Sequence, residues 1–311
     1  MIAKCKRHIE TLFILYCALV LFSSYGTVQG QEAIEALEEK AILKAIENIS
    51  ESVIRIESVG GLSKVEGTTT QLAPVTATII AEDGYAVSSS FHFVSRPVGL
   101  IATLPDGTKC KATVVGKDKS RNLVLIKLTT DQTFELPRSA NRTSISVGET
   151  VIAIGRGLSS DSINVSTGIL SAKNRIWGKA FQTDAKISPV NFGGPLLNLK
   201  GELIGVLTPM SLGSEAVTAR YDWYDSGVGF AIPVGDIKSR LIQLKSGISI
   251  RPGLPGFSFQ NQNQFQTPLT VGFVSPGSPA ASAGLRQGDI IKSANGKPTK
   301  NQAEFKHLSK P

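Results

Sequence analysis

Between residues 52 and 235 the chain is written in short apolar runs of strand length, with no stretch patterned for a long helix. SVIRIES, TATII, GLIATL, ATVVG, LVLIKL, TVIAIG, NVSTGIL, ELIGVLT and VGFAIP follow one another in that order. Between them lie turn sequences such as EDG, PDG and NLKG, whose Gly, Asp and Asn residues adopt turn conformations at little cost. β-Branched residues recur in the runs, as suits a pleated, half-buried surface. Many short strands at regular spacing leave two all-β architectures open, antiparallel barrels or a sandwich.

The flanks read differently. Residues 1–30 carry Lys4, Lys6 and Arg7, then an apolar run from Leu12 to Phe22, then small and polar residues up to Gly30. That order is expected of an export signal cleaved after Gly30; an uncleaved anchor is the alternative. The apolar run is shorter than the roughly 20 residues a spanning helix needs. Residues 31–50 place Ile34, Leu37, Ala41, Ala45 and Ile49 at three- and four-residue steps, which predicts an amphipathic helix. Its stripe must be covered by the chain's own strands or by a neighbouring subunit. Residues 237–250 read as a helix-like linker, and a second module occupies 251–311.

Composition narrows the function classes. Loss of the leader removes Cys5 and Cys17 and leaves Cys110, so a disulfide framework is ruled out. It also removes three basic groups and one acidic group, and the formal net charge falls from +8 to +6. The remaining charges are scattered rather than gathered in a stripe, so neither nucleic acid nor a specific membrane lipid is an expected partner. His and Cys do not cluster, so no metal or other cofactor is expected. Trp177 and Cys110 read as structural. Tyr221, Trp223 and Tyr224 lie in a long link at 207–226 and read as a surface loop.

Several motifs recur in a recognisable order: VGETVIAIG at 147–155, QTDAKISPVNFGGPL at 182–196, GELIGV at 201–206 and GVGFAIPV at 227–234. Beyond them, PGSPAASAGLRQGDIIKSANGKP at 276–298 has a PDZ-like pattern, with Asn295-Gly296 as a tight turn. Together these motifs resemble the HtrA (DegP-like) proteases over most of residues 32–311. The resemblance implies a trypsin-like double six-stranded antiparallel β-barrel at 51–236 with an N-terminal helix. A PDZ-like α+β domain follows, incomplete at its C-terminal end because AEFKHLSKP matches only the start of the groove helix.

The same resemblance locates the catalytic positions, and there the residues depart from it. Serine proteolysis needs a hydroxyl nucleophile, an imidazole base and a carboxylate that orients the base. Phe192 falls at the nucleophile position of the VNFGGPL loop, and Ser188 lies four residues away. Phe91, in GYAVSSSF, matches the histidine, and Asn122, in KDKSRNLVLIKL, matches the acid. His92 is one residue late and is retained as a weak rescue candidate for the base, although its neighbour's slot implies a different direction. Asp118 matches a non-catalytic position. Val190 stands where a glycine would shape the oxyanion hole, in a backbone region that β-branched residues resist. Losing nucleophile or base costs on the order of 10⁶ in turnover.

The expectation is therefore an exported pseudoprotease of the periplasm or cell envelope, with no catalytic residues. It would bind unfolded or C-terminal polypeptide segments as a scaffold, adaptor or chaperone-like protein. Leu254, Gly256 and Phe257 match the carboxylate-binding loop of the PDZ groove. By resemblance the chain forms a homo-oligomer, a trimer through its N-terminal helix. The alternative is an active serine endopeptidase of extracytoplasmic protein quality control.

Overall fold

A computed structural model of the chain describes residues 34–60, 62–65, 68–71, 74–93, 97–157, 162–210, 227–261 and 263–309. The leader and the aromatic residues 221, 223 and 224 lie outside the described residues.

Six strands close the first barrel: β1 (Val53–Val59), β4 (Val75–Ala81), β5 (Tyr85–Ser89), β6 (Gly99–Thr103), β7 (Lys109–Asp118) and β8 (Leu123–Thr129). The order is β7-β6-β1-β4-β5-β8, and pairing of β7 with β8 closes it. A separate hairpin, β2 (Leu62–Val65) and β3 (Thr68–Gln71), stands between β1 and β4. The second barrel is formed by β9 (Thr150–Gly155), β10 (Asn164–Asn174), β11 (Ala180–Thr183), β12 (Pro195–Asn198), β13 (Leu203–Leu207) and β14 (Gly229–Pro233). It closes in the order β10-β11-β14-β13-β12-β9. All pairings within both barrels are antiparallel, so barrels rather than a sandwich satisfy the strand edges.

Period-two alternation explains how the barrels meet. On β4, Val75, Ala77 and Ile79 enter the core of the first barrel with Ile54, Ile126 and Leu128. The alternate residues, Thr76 and Thr78, face the 188–194 loop of the second barrel, donating through Oγ1 to the carbonyls of Val190 (2.6 Å) and Gly193 (2.9 Å). A strand buried on both faces stays inexpensive because the polar face is hydrogen-bonded across the seam. The second core gathers Leu170, Phe181, Leu196, Leu207 and Phe192.

Helix α1 (34–50) buries only part of its stripe. Ala45 and Ile49 are inside, packed with Ile152, Leu197 and Leu203, whereas Ile34 and Leu37 are 67% and 66% exposed. The stretch at 237–250 is no free tether. It lies mostly in helix α2 (Val234–Lys245), which buries Ile237 and Leu244 between the barrels' outer faces. Strand β15 (Ser249–Ile250) then adds to β7 in parallel. Among the described residues no helix is long and apolar enough to cross a membrane.

The second module contributes β16 (Phe257–Phe259), β17 (Val271–Val274), α3 (Pro279–Ser282), β18 (Ser293–Ala294), β19 (Lys297–Pro298) and α4 (Gln302–Leu308). β16 pairs with β17 and β18 with β19. Asn295 and Gly296 form the turn between β18 and β19, as their dipeptide predicts.

Candidate functional site

The 188–194 loop is shaped by its own backbone. Ser188 caps a one-turn 3₁₀ helix at Pro189–Asn191, and both its N–H and its Oγ donate to Asn191 Oδ1 at 3.1 Å. Ser188 is thus engaged inside the loop. The N–H of Phe192, which would be one oxyanion donor, instead donates to the Pro189 carbonyl at 3.2 Å. Val190 sits within the same tight turn. The following glycines are needed for contact: Gly193 has φ +91°, and a Cβ there would lie 2.1 Å from the Thr76 carbonyl. A Cβ on Gly194 would lie 1.9 Å from the carbonyl of Ile154. The Gly-Gly-Pro part of the motif therefore serves barrel packing, whatever residue stands at 192.

Phe192 is 9% exposed and belongs to the core of the second barrel. Its ring meets that of Phe91 edge-on, with centroids 5.6 Å apart, a favoured aromatic geometry. Phe91 itself packs against the same core. The structure thus brings together two of the three positions the resemblance pairs with catalysis, and it does so through benzene rings.

His92 does not point away, as a one-residue slip in a strand would require. Residues Ser90–Phe93 form a 3₁₀ turn rather than a strand, so neighbours differ by about 120° instead of 180°. The His92 ring lies 4.9 Å from Phe91 and 6.2 Å from Phe192. Among the described residues its hydrogen-bond partner is the Pro189 carbonyl, 3.1 Å from Nε2. A carbonyl only accepts, so Nε2 carries the proton. The imidazole is therefore a donor to backbone here, and among the described residues no hydroxyl is hydrogen-bonded to its lone pair. Part of the residue's surface remains accessible, but its ring is closely surrounded. Burial holds its pKa down to about 4, only partly countered by the Pro189 carbonyl.

Asn122 has φ +55°, a conformation that asparagine tolerates better than most residues. Its Nδ2 donates to the Pro209 carbonyl at 2.9 Å, and its own carbonyl accepts from Ser90 N–H and Thr208 Oγ1. Thr208 Oγ1 in turn shares a 2.9 Å hydrogen bond with Ser89 Oγ. The position matched to the acid is therefore a backbone clip between the barrels. Asp118 is 1% exposed and belongs elsewhere: its Oδ1 accepts from Ser120 N–H (2.9 Å) and Oγ (2.6 Å). Its Oδ2 lies 3.9 Å from both Arg121 and Arg240.

These arginines open onto a network that the sequence did not reveal. Buried Arg121 donates to Asp236 at 3.2 Å, and Arg142 reaches the other oxygen of Asp236 at 3.0 Å. Nearby Lys179 and Arg240 have pKa values lowered chiefly by burial and then by Arg121. The contributing residues come from four distant segments, which is why spacing gave no signal.

In the second module the expected carboxylate loop is scattered in role. Leu254 is 86% exposed. Gly256 has φ +83°, its carbonyl accepts from Ser275 N–H at 2.7 Å, and a Cβ would strike Ser278. Phe257 forms an edge-on triangle with Phe259 and Phe305, with centroids 5.4–5.8 Å apart. Phe259 and Phe305 were not singled out from the sequence, although the FSF alternation places the first two rings on one face.

The family described as trypsin-like peptidase domain matches residues 75–206, and the PDZ domain family matches 241–307. The chain is similar to Serine protease Do-like HtrA of Lactococcus lactis subsp. cremoris, 34% identical over 239 residues, covering 67% of this chain and 56% of the relative. It is 37% identical over 240 residues to a probable periplasmic serine endoprotease DegP-like of Chlamydia trachomatis, covering 71% and 46%. Against the periplasmic serine endoprotease DegP of Escherichia coli it is 33% identical over 243 residues, covering 73% and 49%. The chain spans about half the length of the curated relatives it matches.

Proposed function

This chain belongs to the HtrA-type family of trypsin-like peptidases with a PDZ domain, and we propose that within it the chain is a non-catalytic, exported polypeptide-binding protein of the cell envelope. It would act as scaffold, adaptor or chaperone-like subunit, with no nucleophile, base or acid at Phe192, Phe91 and Asn122. The observation that carries this reading is the Phe192 ring, packed edge-on against Phe91 in the barrel core. Use of the Phe192 N–H by the Pro189 carbonyl supports it further, since oxyanion stabilisation needs such donors free. The envelope location draws on relatives named periplasmic, and peptide capture draws on the PDZ-family match. Leu254, Gly256 and Phe257 are the proposed carboxylate-side residues.

The second reading, an active serine endopeptidase, draws on the relatives' names and on His92 beside the 188–192 loop. One experiment separates them. The protein, incubated with an unfolded substrate and with a serine-reactive fluorophosphonate, is expected to give neither fragments nor labelled product. Cleavage or labelling would overturn the non-catalytic reading. In the same preparation it should slow aggregation of a denatured client at molar excess; no slowing would favour a purely structural role.

A further inference from the structure

A cavity of about 800 Å³ opens between the second barrel and the PDZ-like module. Ile176, Trp177, Met210 and Phe230 form its barrel wall, and Ala303 and Leu308 line the α4 side. That volume falls within the range of pockets holding drug-sized ligands, and module boundaries are where such pockets concentrate. The walls are mostly apolar, but the charge at the rim is uneven. Arg175 is exposed at the edge; its backbone pairs with Ala180, and its guanidinium has no hydrogen-bond or ion-pair partner among the described residues. Glu304, also at the edge, has its carboxylate engaged by the Lys300 N–H at 2.7 Å. Lys306 places its ammonium 5.2 Å from the centre of the Trp177 ring, and the His307 ring completes the polar edge. The balance favours an anionic group.

The wall itself is held in an unusual shape. Ile176 and Trp177 have φ of +50° and +58°, a region that a β-branched residue enters only under constraint. Arg142 supplies part of that constraint, donating to Asn174 Oδ1 at 2.9 Å and to the Gly178 carbonyl at 3.1 Å. Strained backbone of this kind concentrates at ligand clamps. Trp177, which reads from sequence as structural, is here a wall of the cavity.

We propose that this cavity binds a small amphiphilic carboxylate, with its apolar part against Trp177 and Phe230 and its carboxylate on the Arg175 guanidinium. A guanidinium matches a carboxylate with two parallel hydrogen bonds, which an ammonium cannot reproduce. The site is separate from the 188–194 loop, and its occupancy does not depend on whether the chain cleaves.

Dodecanoate is the probe, titrated calorimetrically into the purified protein below its micellar concentration, with dodecanol as the uncharged counterpart. Saturable binding of dodecanoate is expected, weakened about ten- to a hundredfold by Arg175→Ala and partly recovered in Arg175→Lys. Dodecanol binding should be weaker and unchanged by Arg175→Ala. Ala303→Trp, which fills the chamber, should remove both. Because Arg175 is exposed, its variants keep the test open even where Ala303→Trp does not fold. Absence of saturable dodecanoate binding, or equal affinity in Arg175→Ala, would overturn the proposal.

Discussion

At position 192 the side chain supplies apolar area to the second barrel and an edge contact to Phe91, so substitution there acts on stability before it acts on chemistry. Phe192→Ser should cost about 3–5 kcal/mol, the range for truncating a buried phenylalanine, read as a lower denaturation midpoint. It should leave the protein unreactive to fluorophosphonate, because the nearest imidazole donates its Nε2 proton to Pro189. Labelling of that variant would show a base in reach. His92 makes a pH prediction of definite sign. Its folded pKa of about 4 lies below the usual value of 6.5, so between these values the unfolded chain binds a proton that the folded chain refuses. Stability present at neutral pH is therefore lost as pH falls from about 6.5 to 4, by up to about 3 kcal/mol. Urea titrations across that range should show the loss in the wild type and a flatter profile in His92→Leu; parallel profiles would refute it. The identities at 91, 122 and 192 were legible in the sequence. The direction of His92 was not, because it depends on a 3₁₀ turn that Ser-Phe-His-Phe does not announce.

Among the elements, α2 shows how a stretch that reads as a linker becomes a joint. Asp236 in its first turn accepts from Arg121 and Arg142, where the helix N-terminus also favours a negative charge. Its last turn places Lys245 2.9 Å from Asp83 and 4.2 Å from the centre of the Tyr85 ring. The two ends differ in consequence because they differ in exposure. Arg121 has an 8% exposed side chain, whereas Lys245 is 31% and Asp83 54% exposed. Asp236→Ala removes the carboxylate that is hydrogen-bonded to buried Arg121, leaving only Asp118 at 3.9 Å, and should cost about 3 kcal/mol. Lys245→Ala should cost under about 1 kcal/mol. Equal losses in chemical denaturation would mean that the buried network carries no special share. Strand-forming runs such as LVLIKL and TVIAIG announced themselves by composition, and both barrels follow from them. β5, β11 and β12 did not, being short and rich in Ser, Gln or Pro; they are strands because the neighbouring edges demand pairing.

For the whole molecule, the unsettled surface is the start of α1. The stripe written by Ile34, Leu37, Ala41, Ala45 and Ile49 is continuous in sequence, yet only its second half lies on the chain's own barrel. Two adjacent large aliphatics about two-thirds exposed on one helical face are a face still to be covered. We propose a second copy of the chain as its cover, in the trimeric arrangement that the family resemblance implies. A symmetric assembly repeats whatever is done to one subunit, so a charge at this face is introduced at every contact. The purified protein should sediment as an oligomer at micromolar concentration. The double variant Ile34→Glu, Leu37→Glu should sediment as a monomer with its barrel stability unchanged, since neither side chain touches the core. A wild-type monomer, or a variant that still assembles, would show that α1 does not hold the subunits together. Loss of client protection in the monomeric variant alone would then tie polypeptide binding to assembly rather than to the single PDZ-like groove, because multivalent capture multiplies weak affinities without any new contact.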